Sequence, residues 1–303
     1  MSDAQAIQFI KPAQPNVAQF LPPHYACIGK YELDVVSSCN VGCIYCSLKN
    51  DGRPQPLAID HLIDGDYPAD LIKKGIYLSP NSDPFSKNAR DNTHRILEAF
   101  LPKGVNFLIT TKTMIPQHTL ELMMQYKKQV YAQVSLARLD DNLNKLLEPG
   151  AASAANRLAT IKTLVDAGFM VTTLFMPLYP HLDDQHERLS SLVQACAAVG
   201  NKYIKASYLV INPRDDKAQK MQENELLRKS WDMMTEEIKI NIGRGRILPE
   251  LTRMETYALL TKLCYDNGIT FYSCPILDPK VLSNDEAPKV CKTYRLYEAN
   301  VQP

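Results

Sequence analysis

Cys39, Cys43 and Cys46 lie within eight residues in "SSCNVGCIYCSL" (37–48), at spacings of four and three, with Tyr45 just before the last. Thiolates prefer soft metals, namely zinc, copper or iron–sulfur clusters. A structural zinc site takes four ligands, and no fourth Cys or His is near in the sequence. A 4Fe-4S cluster has four irons, each able to take one thiolate. Three cysteines would bind three irons and leave one open to a cofactor or substrate. A zinc site with a distant fourth ligand and a chance grouping of buried thiols are the other readings of the same residues.

A thiol loop needs regular elements to present it. "YELDVVSS" (31–38) reads as a strand that ends at the cysteines. Further strands are expected at 75–79, 105–111, 130–135, 170–176 and 203–211, with apolar helical faces between them. Those faces are Ile96, Leu97, Phe100 and Leu101; then a helix around 117–127; then Leu158, Ile161, Leu164 and Val165; then Leu189, Leu192, Val193, Cys196 and Val199. Gly168 and Gly200 are helix stops. Six alternating units predict an α/β fold with parallel strands, a partial (β/α)6 TIM-like barrel. In such a fold the site gathers at the strand C-termini. The cysteines, Asn81-Ser82-Asp83, Lys112 and Ser135 follow or end successive strands and so should converge on one rim.

Around this core (29–211) we expect an N-terminal arm (1–28), with four prolines in the first 25 residues, and a C-terminal extension (212–303) covering the barrel mouth. The extension reads as a charged, mostly helical stretch (216–240), a "GRGR" turn between helices (243–246), a helix near 252–265 and a loop-rich tail. Hydrophobic residues are 45% and charged residues 22% of 303, enough for a sizeable core, and net charge is +1, which gives no strong field toward nucleic acid or a membrane. The N-terminus does not read as a signal peptide, and no apolar run is long enough to span a bilayer. A cytoplasmic location with reduced thiols is expected.

The chain resembles radical S-adenosylmethionine (SAM) enzymes of the spore photoproduct lyase-like branch. The resemblance rests on the Cys39/Cys43/Cys46 motif with its Tyr45, on "YLSPNSDPFSKNARDNTHRILEAF" (77–100), on "FLITTKTMI" (107–115), and on the stretch from "VSLARLDDNL" (134–143) through Glu148-Pro149 to Arg157 and "PLYP" (177–180). It implies a 4Fe-4S cluster on the three cysteines, with SAM at the open iron. Reductive cleavage of SAM would give a 5′-deoxyadenosyl radical that takes hydrogen from a substrate. It places Tyr45 near the adenine, Ser82 at the SAM amino group, Lys112 at the carboxylate and Ser135 at the ribose or methionine part. It also implies an electron donor such as flavodoxin or ferredoxin. In the lyase that gives the branch its name, a cysteine two residues before the "SD" serine donates hydrogen to the product radical; here that position is Pro80. The expected substrate is therefore a small molecule or peptide. Nucleic-acid repair or modification, and a non-catalytic iron–sulfur or zinc module, are the alternatives.

Glu148 and Arg157 read as a structural ion pair. Cys196 and Cys264 read as core. Cys274 and Cys291, in proline-flanked irregular segments, are candidates for a hydrogen donor, an auxiliary cluster or a lid wall. His181 falls on the expected rim, as a loop residue or a catalytic one.

Overall fold

The structure, a computed structural model, describes residues 16–21, 30–46, 53–240, 243–274 and 278. Strands and helices alternate in chain order: β1 (Tyr31–Leu33), α1 (Asp60–Ile63), α2 (Leu71–Lys74), β2 (Ile76–Leu78), α3 (Arg90–Phe100), β3 (Phe107–Thr111), α4 (Gln117–Gln125), β4 (Val130–Ser135), α5 (Asp141–Leu147), α6 (Ala154–Asp166), β5 (Met170–Leu178), α7 (His186–Ala198) and β6 (Tyr203–Tyr208). There follow α8 (Asp216–Glu223), α9 (Glu225–Met233), β7 (Glu236–Ile240), β8 (Gly243–Ile247), α10 (Glu250–Asp266) and β9 (Thr270–Ser273). The main sheet runs β1-β2-β3-β4-β5-β6-β9, with every pairing parallel. The order is linear, so the barrel is partial.

Alternation sorts the two faces of this sheet. Ile76, Leu78, Phe107, Ile109, Val130, Ala132, Val134, Val171, Phe175, Ile204 and Ala206 are buried in the main core. Ile96, Leu97 and Phe100 of α3, Ile161 and Leu164 of α6, Leu189 and Val193 of α7 and Leu260 of α10 belong to the same core. Cys196 and Cys264 are fully buried in it, as expected, and burial pushes both thiols up to about 12. The opposite face carries Glu32, Tyr77, Thr110, Gln133 and Lys205 among its residues and is mostly polar. On that face Tyr77, Thr110 and Gln133 form a hydrogen-bonded row, with Thr110 donating to Gln133 at 2.8 Å.

Four expectations are corrected. The helical stretch stops at Met233, and 236–240 is instead a strand paired antiparallel with 243–247, with Ile238 opposite Gly245. "EEIKI" alternates with period two and carries β-branched residues, which suits a strand. "GRGR" is therefore part of β8, not a turn between helices. A seventh strand, "TFYS" (β9), lies in the segment expected as loop and extends the sheet beside β6. Finally, β1 ends at Leu33, and Asp34–Cys46 is an irregular approach to the cysteines rather than a continued strand.

Candidate functional site

The rim is assembled from loops at strand C-termini, and buried polar contacts join each loop to the next. Cys39, Cys43 and Cys46 are free thiols, each half-buried, in the irregular segment after β1. Burial pushes the Cys43 thiol up to about 12, while the nearby Lys112 ammonium pulls in the opposite direction. Burial also raises the Cys39 thiol. Asp34, at the end of β1, accepts the Ser82 hydroxyl at 3.0 Å and the Asn81 side-chain amide at 2.8 Å. Asp83 then ties the loop after β2 to the loop after β3. It accepts the Thr111 hydroxyl at 3.0 Å, the Thr113 hydroxyl at 2.6 Å and the Lys112 backbone N–H at 2.6 Å. The Lys112 carbonyl accepts from Ala152 N–H at 2.9 Å.

At the end of β4, Ser135 is buried and donates to the Met176 carbonyl at 3.2 Å. Glu148 and Arg157 form the expected ion pair, 2.7 Å apart, with both side chains at most 1% exposed. The Tyr45 hydroxyl donates to Glu148. Burial alone would raise the Glu148 carboxyl; the charges of Lys112, Arg157 and Arg138 and the Tyr45 hydroxyl outweigh it and hold the group below its ordinary range. Arg138 grips Asp183 through two bonds of 2.8 and 2.7 Å and lies over the Tyr179 ring. Tyr179 packs edge-on against Tyr45, 6.0 Å between centroids.

The sequence reading thus brought Cys39, Cys43, Cys46, Tyr45, Ser82, Lys112 and Ser135 to one rim. It missed Asp34, Asp83, Arg138 and Asp183 as the groups that fasten the loops. Asp83 had a signal, its place in "NSDP"; Arg138 and Asp183, 45 residues apart, had none. Cys274 is buried at the end of β9, on the same rim but at the far edge of the sheet from β1. His181 lies in the loop after β5; its backbone bonds the Asp184 carboxylate and its carbonyl accepts from Gln185. Cys291 lies outside the described residues.

The donor set fits an iron–sulfur cluster with SAM. A zinc ion needs its ligands gathered at about 2.1–2.3 Å from one point. Among the described residues no group of three or more His, Cys, Asp or Glu is so gathered. Cluster thiolates each serve a separate iron and need no such convergence. Lys112 is half-buried, and its charge acts on both the Cys43 thiol and the Glu148 carboxylate. A carboxylate brought beside the thiols would meet this ammonium.

An open, all-parallel α/β sheet with a thiol loop at its strand ends is the architecture of a partial barrel. The Radical SAM superfamily profile matches residues 34–193, more than half of the chain, and the chain belongs to that superfamily. It is an enzyme of a group that uses a 4Fe-4S cluster and SAM. An uncharacterized protein of Acidianus two-tailed virus is 31% identical over 130 residues, covering 42% of this chain and 43% of the relative. An uncharacterized Mycobacterium tuberculosis protein is 25% identical over 194 residues, 56% of each chain. The matches thus span about half the length of these curated relatives. Among solved structures, spore photoproduct lyase complexed with dinucleoside spore photoproduct aligns over 86% of this chain and 81% of its own, with a TM-score of 0.61 and 12% identity. Streptococcus suis SuiB bound to S-adenosylmethionine aligns over 82% and 52%, with a TM-score of 0.53 and 14% identity. At these identities both are likenesses of fold. No helix among the described residues is long and apolar enough to cross a membrane.

Proposed function

We propose that this radical SAM enzyme holds its cluster through Cys39, Cys43 and Cys46 and its SAM through Lys112, Ser82, Ser135 and Tyr45, and that it acts on a small molecule or peptide. The observation that carries the reading is the Lys112 ammonium, whose charge acts on Cys43 in a loop of three half-buried thiols. When bound, the cluster and SAM supply an electron and a 5′-deoxyadenosyl radical able to take hydrogen from an unactivated position. The chain's own residues bind and orient. Lys112 supplies a point charge for a carboxylate. The Ser82 and Ser135 oxygens keep lone pairs for donors, and Tyr45 offers an aromatic edge. The covering role we assign to the C-terminal extension is supported by α8 and α9, which place Met221, Leu227 and Trp231 in an apolar cluster that reaches Ile44 and Tyr45 of the cysteine loop. Covering excludes water from a reactive centre. An electron donor such as flavodoxin or ferredoxin reduces the cluster, and the reduced thiols suit the cytoplasm. Cys274 and Cys291 are the candidates for returning hydrogen to the product.

Pro80 and the near-zero net charge support a substrate other than damaged DNA. The test is anaerobic reconstitution, then dithionite and SAM, with 5′-deoxyadenosine and methionine read by mass spectrometry. Wild type should form both, and the Cys39/Cys43/Cys46-to-Ala triple variant neither. Lys112→Ala should weaken SAM binding by about 10- to 100-fold, the worth of a charge-assisted hydrogen bond. Protein shown to hold about four irons that neither binds nor cleaves SAM would refute the reading and favour a non-catalytic module.

A further inference from the structure

We propose that Glu148 and Arg157 are positioning residues that hold the cysteine loop in its ligating shape, with Tyr45 as the handle they grip. The proposal rests on the reading that this loop carries the cluster.

Three contacts between Val41 and Cys46 reach a single segment, the turn from the end of α5 to the start of α6. Ile44 N–H donates to the Leu147 carbonyl at 3.0 Å, and Gly150 N–H donates to the Val41 carbonyl at 2.8 Å. The Tyr45 hydroxyl, one residue before Cys46, donates to Glu148. Glu148 is fixed in turn by Arg157 at 2.7 Å. The Arg157 guanidinium is anchored to the Ala152 carbonyl at 2.7 Å and to the Ser135 carbonyl at 3.0 Å. Ala152 holds the Lys112 carbonyl at 2.9 Å. One stretch, 147–157, therefore fastens the cysteine loop, the Lys112 loop and the end of β4 to one another.

A buried ion pair is a poor stabiliser, because desolvation consumes most of its attraction. Its presence here is explained by what it grips. A carboxylate accepting a phenol makes a short, directional, charge-assisted bond, and Tyr45 stands between two ligands, Cys43 and Cys46. The pair thereby turns a flexible eight-residue loop into a rigid presenter of thiols.

The test uses the full chain without metal. Iodoacetamide alkylation of each cysteine is timed by mass spectrometry, with buried Cys196 and Cys264 as internal reporters of an intact fold. Tyr45→Phe and Glu148→Gln should speed alkylation of Cys43 and Cys46 about fivefold or more, the effect of loosening the loop by one strong contact, while Cys196 and Cys264 stay protected. Glu148→Gln leaves Arg157 buried without its partner and is the variant most exposed to misfolding. The double variant Glu148→Met/Arg157→Met removes both charges together, which buried sites tolerate, and, unlike Glu148→Gln, whose amide oxygen can still accept, it leaves Tyr45 no acceptor at position 148. It should show the same loosened thiols. After reconstitution, Tyr45→Phe and the double variant should bind less iron and give an altered cluster EPR signal. Alkylation within about twofold of wild type in both would overturn the proposal. A wild type that takes up no iron would instead sink the cluster reading, because the alkylation rates are read on the apoprotein.

Discussion

Gly150→Ala probes how closely the cysteine loop is seated. A Cβ at this position would fall 2.6 Å from the Asn40 carbonyl oxygen, 2.8 Å from the Val41 Cα and 2.9 Å from the Val41 carbonyl oxygen. All three atoms are backbone, so no side-chain rotation relieves the contact. Either the Pro149–Gly150 turn or the loop must move by several tenths of an ångström. Overpacking of this kind costs about 1–3 kcal/mol. The separation also strains the Gly150–Val41 hydrogen bond of 2.8 Å, worth about 1 kcal/mol. Alanine narrows the unfolded ensemble and returns about 0.4–1 kcal/mol. The expected net loss is roughly 1–3.5 kcal/mol. Urea unfolding of the apoprotein measures it. Trp231, the chain's one tryptophan, sits in the apolar cluster that includes Ile44 and Tyr45, so its fluorescence reports the right region. An unchanged or raised midpoint, with an unchanged slope, would refute the close seating of loop on turn.

Two further outcomes follow from buried charges. Arg138→Met strands Asp183, which has no solvent exposure of its side chain, and should cost about 3–5 kcal/mol in denaturant unfolding, only part of it regained in Arg138→Met/Asp183→Leu because Asp183 also accepts the buried Tyr179 N–H at 2.8 Å. Burial first, and Asp34 second, push the Glu32 carboxyl up to about 7. Between its ordinary range and pH 7 the native state therefore holds a proton that the unfolded state has lost, so this group makes wild-type stability fall as pH rises through that window. Glu32→Gln should melt higher than wild type at pH 8, by roughly 1–2 kcal/mol after allowing for solvent screening, with the gain shrinking toward pH 4.5. A gain that does not depend on pH would refute that origin.

The parts of the site that were legible in the sequence are those whose spacing is itself the signal. Three thiols in eight residues can be read from the chain, as can polar groups that each follow an apolar run. Glu148 and Arg157, nine apart, were legible as a pair, and the structure joins them. What Glu148 grips was not legible, because Tyr45 lies 103 residues away. Asp83 reaches Thr111, Lys112 and Thr113 across 28 to 30 residues, a partnership that only the sheet register creates. In the fold, long apolar strands followed by amphipathic helices were clear. The β7–β8 hairpin was not, since glutamate, lysine and arginine serve as well in helices as on a two-stranded ribbon, and only the period of the two isoleucines tells them apart. β9 is four residues long, and its place in the sheet comes from the neighbour it pairs with.

An unclosed barrel leaves a raw border at β1, and a border of free amides and carbonyls invites another chain to add a strand. Here that border is three residues long. Its middle residue, Glu32, has both backbone groups taken by Leu21, with hydrogen bonds of 2.9 and 3.0 Å running the opposite way to the sheet. A single residue of the preceding segment thus acts as a stopper against fibre-like growth. The enzyme can keep its barrel unclosed, with room for a substrate, without offering that side as a template for its own aggregation.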